Sequence, residues 1–153
     1  MRLDDITKDN YFQVVMLTTN QDHTATVMEK HVASNAFSLV EASFCENPVY
    51  TKAIIHERNN TVIGFCMYGI TEILGKRVYA LLRFMIDVSF QCKGYGTKAL
   101  GLILDEIKAL PDCNEIFLTL TPGNTRARHV YHKYGFRSTG DVIDGERLYR
   151  LEL

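Results

Sequence analysis

Apolar positions along the chain change their period several times, and each change marks an element. Tyr11, Phe12, Val15 and Met16 recur at helical spacing, with Asp9 placed to cap the helix they form. A second helical region, in one or two pieces, is expected from about Ala25 to Cys45, carrying Val32, Phe37, Leu39, Val40 and Phe44 until Pro48 stops it. The pattern then becomes strand-like. Tyr50–Glu57 is followed by the turn signal Arg58-Asn59-Asn60, and Thr61–Tyr68 extends toward Ile73. A hairpin turn at Leu74-Gly75-Lys76 leads into the long apolar strand Arg77–Val88, which completes an antiparallel meander.

After the loop Gln91–Thr97 the period is helical again, with Leu100, Ile103, Leu104 and Ile107 at i, i+3, i+4 and i+7 until Pro111. Ile116–Thr121 alternates as a strand. Strand, loop, helix and strand form a βαβ unit, so this strand is expected parallel to Arg77–Val88. A helix over Thr125–Tyr134 gathers Ala127, Val130, Tyr131 and Tyr134 on one face, with Gly135 as its C′ residue. A final hairpin turns at Asp144-Gly145 between Phe136–Val142 and Arg147–Leu153. The predicted class is α+β, one domain over residues 1–153, with a mixed sheet of six or seven strands flanked by about four helices.

Composition narrows the function classes. The 153 residues fit one core, and a formal net charge of -1 gives no bulk attraction for nucleic acid. No apolar run approaches the length of a membrane span, and no signal peptide is read at the N-terminus, so a cytoplasmic protein is expected. Cys45, Cys66, Cys92 and Cys113 form no CxxC pair, which disfavours a zinc site and a disulfide framework; no metal is expected.

Two segments carry candidate chemistry. Gln91-Cys92-Lys93-Gly94-Tyr95-Gly96-Thr97 follows a strand and opens a helix. Such a loop offers successive main-chain N–H groups to an anion, with the helix dipole behind them. Gly94 and Gly96 leave the main chain uncovered. The same pattern also fits a plain tight turn. Asn124 begins the next helix, where it also fits an N-cap, and Tyr131 on its apolar face also fits a core tyrosine.

Taken in order, QxxGxG and, about thirty residues later, NxxAxxxYxxxGF resemble the GNAT superfamily, the GCN5-related N-acetyltransferases. The resemblance covers Arg77 to Phe136 and implies the GNAT fold, acetyl-CoA as cosubstrate and acetyl transfer to an amine. It implies that Gln91, Cys92, Lys93, Gly94, Tyr95, Gly96 and Thr97 wrap the CoA pyrophosphate. Met85, Ile86 and Val88 would lie beside the pantetheine and acetyl group. Asn124 would bind the pantetheine arm, Ala127 would line the site, and Tyr131 would protonate the departing thiolate. Cys92 stands where the family often has arginine. Lys133, within the basic group Arg126, Arg128, His129, His132 and Arg137, is a candidate for the CoA 3′-phosphate or else part of a solvated face.

Aminolysis needs a neutral amine, whereas an alkylammonium titrates near ~10.4, so a base must remove a proton. Asp87, Glu72 and Glu41 are the candidates, in no fixed order. Further resemblance points to the polyamine branch, the BltD-like spermine/spermidine (diamine) acetyltransferases. Gly64-Phe65-Cys66-Met67-Tyr68-Gly69 and Arg83-Phe84-Met85-Ile86-Asp87 are similar to segments of that branch, although Leu82 stands where it has aspartate. Asn35 to Glu41 is similar to its substrate-side helix, which makes Asn35, Glu41 and Glu72 candidate substrate residues. Glu29 and Glu46 are further acidic groups available to a polycation. A small-molecule polyamine is the expected acceptor, and a homodimer is the family expectation. Acetylation of protein N-termini, lysines or an antibiotic amine, and a non-catalytic CoA-binding sensor, are the alternatives.

Overall fold

The computed structural model describes all residues, 1–153. Seven strands form one mixed sheet: β1 (Arg2–Asp5), β2 (Val49–His56), β3 (Thr61–Ile73), β4 (Lys76–Ile86), β5 (Glu115–Leu120), β6 (Arg137–Ile143) and β7 (Glu146–Glu152). Their spatial order is β1-β2-β3-β4-β5-β7-β6. Only the β4–β5 pairing is parallel, as the βαβ pattern requires. Four helices accompany the sheet: α1 (Tyr11–Met16), α2 (Asn35–Phe44), α3 (Tyr95–Lys108) and α4 (Thr125–Lys133).

Strand alternation sorts the side chains onto two faces. On one face, Ala99, Leu100, Ile103, Leu104 and Ile107 of α3 and Tyr131 of α4 pack on Ile54, Cys66, Leu81, Ile116, Leu118 and Tyr149. Full burial of each leucine or isoleucine contributes about 1.5–3 kcal/mol, so this helix is held by its apolar stripe. On the other face, α1 and α2 cover the half of the sheet around Ala53, Phe65, Met67 and Met85. The remaining half, around Ala80, Phe117 and Leu148, carries no helix. A concavity of about 730 Å³ lies there, lined by Val78, Phe117, Thr139, Leu148 and Arg150. It sits at the start of β4 and β5, the opposite end from the residue 91–97 loop.

Both hairpin turns expected from the sequence form as two-residue connections. Leu74 and Gly75 have φ of 50° and 74°, and Asp144 and Gly145 have φ of 49° and 82°, as a twist-compatible hairpin turn demands. Gly135 follows α4 at φ 97°, in the role of its C′ residue.

Four expectations are corrected. The N-terminal third is not mainly helical: Arg2–Asp5 is a strand paired with β2, and α2 begins only at Asn35. The segment expected to be helical from Ala25 instead forms an irregular loop with a single bridge between Met28 and Ala33. Its Val27 and Met28 are solvent-exposed, so no apolar stripe holds them in a helix. Asp9 does not cap α1, because Asn10 occupies the N-cap and its Oδ1 accepts from the N–H of Thr7. Finally, β4 ends at Ile86, and Val88–Phe90 is a single 3₁₀ turn rather than strand.

Candidate active site

The sheet opens at its centre. β4 and β5 pair only at Tyr79–Ile116 and Ala80–Phe117, and beyond these residues the two strands part. The cause is visible in β4: Tyr68 faces Leu81 and Met67 faces Arg83, so Leu82 is an extra residue that bends the strand. The N–H of Asp87 donates to the carbonyl of Ile63 at 2.9 Å, which sets the alternation of the β3–β4 ladder. Residues 85 and 83 therefore bond toward β3, and Ile86 and Phe84 turn their main-chain groups toward the gap left by β5. The Ile86 carbonyl accordingly accepts from Nε2 of Gln91 at 2.9 Å.

The loop after β4 presents a run of free donors. None of the main-chain N–H groups from Cys92 to Thr97 donates to a protein acceptor, and the first helical bond runs from Lys98 to Gly94. Gly94 is the N-cap of α3 with φ 79°, and Cys92 has φ 60°. A Cβ on Gly96 would meet only Ile86 Cγ1, at an ordinary 3.9 Å. The fold does not demand glycine at 96; a ligand against the main chain would. Six donors at the start of a 14-residue helix suit a diphosphate. Gln91 stands apart from this run. Its N–H bonds the Val88 carbonyl, and its side chain bridges Ile86 to Arg126, whose Nη1 donates to Oε1 at 2.8 Å. Lys93 Nζ bonds the Ser89 carbonyl, and Tyr95 turns its ring back onto His56. The Lys93 and Tyr95 side chains are thus engaged within the protein, while the main-chain donors of the loop are free.

Helix α4 closes the other side. Asn124 caps it, with Oδ1 accepting from Ala127 N–H at 3.2 Å, while its Nδ2 donates to no protein acceptor. Tyr134 Oη donates to the Thr97 carbonyl at 2.7 Å and pins α4 to the first turn of α3. A Cβ on Gly101 would lie 2.8 Å from that hydroxyl, so this pinning requires glycine. Tyr131 is buried, with its ring edge-on to Phe136 at 5.7 Å. Burial, and secondly the charge of Glu146, push its phenol well above the usual tyrosine range. Lys133 lies in the last turn of α4.

The acidic and amide candidates fall in separate places. Asp87 is buried, and its two oxygens accept main-chain N–H groups of Thr18 at 3.0 Å and Ser89 at 2.9 Å. Glu41 is bound by Arg83 Nη2 at 2.9 Å. Glu72 is exposed opposite Arg77 near the β3–β4 turn, far along the hairpin from the loop. Glu29 accepts from Thr18 Oγ1 at 2.6 Å and Thr19 N–H at 2.7 Å, and Glu46 is exposed. Asn35 is buried, with Nδ2 donating to the Val14 carbonyl at 2.8 Å, so its amide ties α2 to α1. One carboxylate at the cleft has no forerunner in the sequence reading. Glu146, at the start of β7, accepts from Thr119 Oγ1 at 2.5 Å and Thr121 Oγ1 at 2.8 Å. No motif spacing links these three residues; only the β5–β7 register brings them together.

The slot where β4 and β5 part is followed on one strand by the donor loop at the start of α3 and on the other by the capped helix α4. The family model described as acetyltransferase (GNAT) family matches residues 15–136. The chain belongs to this GNAT family. It is therefore an N-acetyltransferase with acetyl-CoA as cosubstrate. It is 29% identical, over 143 residues, to the spermine/spermidine N(1)-acetyltransferase of Bacillus subtilis (strain 168), covering 86% of this chain and 93% of the relative. Among solved structures, a GNAT-family acetyltransferase from Bacillus anthracis superposes with a TM-score of 0.70 at 19% identity, covering 99% of this chain and 95% of that one. PaiA N-acetyltransferase from Thermoplasma acidophilum, solved in complex with coenzyme A, gives a TM-score of 0.68 at 15% identity over 99% and 98% of the two chains. At those identities the likeness is one of fold, and the GNAT sheet and its four helices match the expectation from the sequence.

Proposed function

We propose that this GNAT enzyme acetylates a primary amine of a polyamine such as spermidine or spermine, by direct attack of the amine on acetyl-CoA. The reading rests on one observation: the unbonded main-chain N–H groups of the 92–97 loop follow directly on the stretch of β4 where Phe84 and Ile86 turn their main-chain groups into the gap left by β5. The loop amides hold the diphosphate, with Gln91 bracing the loop. The pantetheine lies between the parted strands beside Met85, Ile86 and Val88, with Asn124 Nδ2 on its amides and Ala127 alongside. Lys133 meets the 3′-phosphate. An N–H of the bent segment of β4 stabilises the oxyanion as it forms.

In the reaction the amine nitrogen bonds to the acetyl carbon, the C–S bond breaks, and the thiolate takes the Tyr131 proton. The raised pKa of this phenol makes it a poorer acid than a free tyrosine. The thiolate, however, is born in the same dry cleft, where desolvation raises its own proton affinity. The difference between donor and acceptor governs the transfer, not either value alone. The acceptor enters from the face of α1 and α2, where Glu41 is held by Arg83. Its ammonium groups would face carboxylates there, and the 29% identity to a spermine/spermidine enzyme supports this acceptor class. Asp87 and Glu72 are poor bases on this view, since one is a main-chain cap and the other lies at the distal turn.

The test is CoA-thiol release with spermidine, spermine, aminoglycosides and peptide amines. The expected result is polyamine-dependent turnover, with Tyr131→Phe lowering kcat by about 10²-fold or more while acetyl-CoA affinity holds. Turnover on peptides alone would refute the polyamine acceptor, and an unchanged kcat in Tyr131→Phe would remove the tyrosine from its role.

A further inference from the structure

Four carboxylates were available to the cleft, and three are already committed. Asp87 caps main-chain N–H groups, Glu29 holds Thr18 and Thr19, and Glu41 is neutralised by Arg83. Glu146 differs from all of them. It makes no ion pair, it is partly buried, and its two hydrogen bonds come from hydroxyls, which can rotate toward another acceptor.

Its placement follows from strand alternation. Phe117 and Leu148 both face the side of the sheet that lacks α3 and α4. Thr119 lies two residues beyond Phe117 and Glu146 two before Leu148, so both share that face. Arg83 reaches Glu41 on α2, so it too lies on that face, on the opposite bank of the gap. Glu146 thus stands where β5 has parted from β4, across the opening from the Glu41–Arg83 pair. Tyr131 packs with α3 and α4 on the other face of the sheet, and the charge of Glu146 adds to the burial that raises its pKa.

We infer that Glu146 is the catalytic residue that receives the proton of the attacking ammonium, held for this by Thr119 and Thr121. The inference rests on the proposed function and deepens it. Glu146 takes one proton from R–NH₃⁺, the neutral nitrogen bonds the acetyl carbon, and the C–S bond breaks as Tyr131 protonates sulfur. The nitrogen's second proton returns through solvent to the tyrosinate, and Glu146 releases its proton to water. An uncompensated carboxylate also draws a polycation to this bank of the cleft.

Glu146→Gln tests the assignment, with steady-state thiol release on spermidine read beside acetyl-CoA affinity and Tm. We expect kcat/KM for spermidine to fall by about 10²-fold or more, with acetyl-CoA affinity and Tm held and with partial recovery in Glu146→Asp. Activity within about twofold of wild type overturns the inference while leaving the polyamine reading intact. So does a loss matched by equal losses in cofactor affinity and Tm, which would mark a structural residue. Should Glu146→Gln fail to fold, the Thr119→Val, Thr121→Val double variant carries the test: reduced kcat/KM supports the role, and unaltered kcat/KM overturns it. A wild-type enzyme inert toward every amine would overturn the proposed function and this inference together.

Discussion

Each oxygen of Asp87 accepts one main-chain N–H, from Thr18 and from Ser89, so the side chain stitches the end of α1 to the end of β4. Asp87→Asn turns one acceptor into an NH₂ that faces a buried N–H. The expected cost is about 1–3 kcal/mol, read as a lower urea midpoint with an unchanged m-value. An unaltered midpoint would mean that the cap is not stabilising. This residue shows the limit of reading carboxylates from sequence. Asp87, Glu41 and Glu146 are equally acidic on paper, and only their partners separate a cap, an ion pair and an unpaired charge. Asn124 was legible in part, because a residue opening a helix is a natural cap, and it is one here. Glu146 was not, because its supporting hydroxyls lie on another strand, more than twenty residues away.

At the level of elements, the stretch from β4 through α3 to β5 was readable because each piece carries its own periodic pattern and the loop between them is short. The segment before α2 was not. Its Val27 and Met28 stay exposed and form no apolar stripe, while Glu29 secures the loop through polar bonds that leave no period in the sequence. β1 escaped notice for a related reason: four residues, three of them charged, form an edge strand with no alternation to detect. The start of α3 gives a sharp test. Gly94 has φ 79° with no atom within 4 Å of a Cβ built there, so Gly94→Val adds strain of about 1–2 kcal/mol and no clash in the free protein. Its branched side chain would instead sit beside the free donors of residues 92–97. We expect calorimetry to show acetyl-CoA binding weakened by at least about tenfold in a folded variant, more than the strain alone explains. Unaltered affinity would place the diphosphate elsewhere.

Across the whole molecule, the sheet is two arms joined at a two-residue parallel seam, Tyr79–Ile116 and Ala80–Phe117. The βαβ pattern foretold the parallel pairing. The gap beyond it depends on the bulge at Leu82, and the insertion of β7 between β5 and β6 on long-range register; no local signal encodes either. A cofactor lying in the gap should bond the outward main-chain groups of Phe84 and Ile86. Amide hydrogen exchange is therefore expected to slow at these two residues when acetyl-CoA is added, and Tm to rise with its concentration. Protection confined to the 92–97 loop would argue against pantetheine between the arms. The Gln91 side chain adds a last consequence. By bridging Ile86 on one arm to Arg126 on the other, it works as a spacer that fixes the width of the slot before any ligand arrives. Much of the entropy of ordering that slot is then lost during folding rather than at the encounter, so association should proceed with little rearrangement of the backbone.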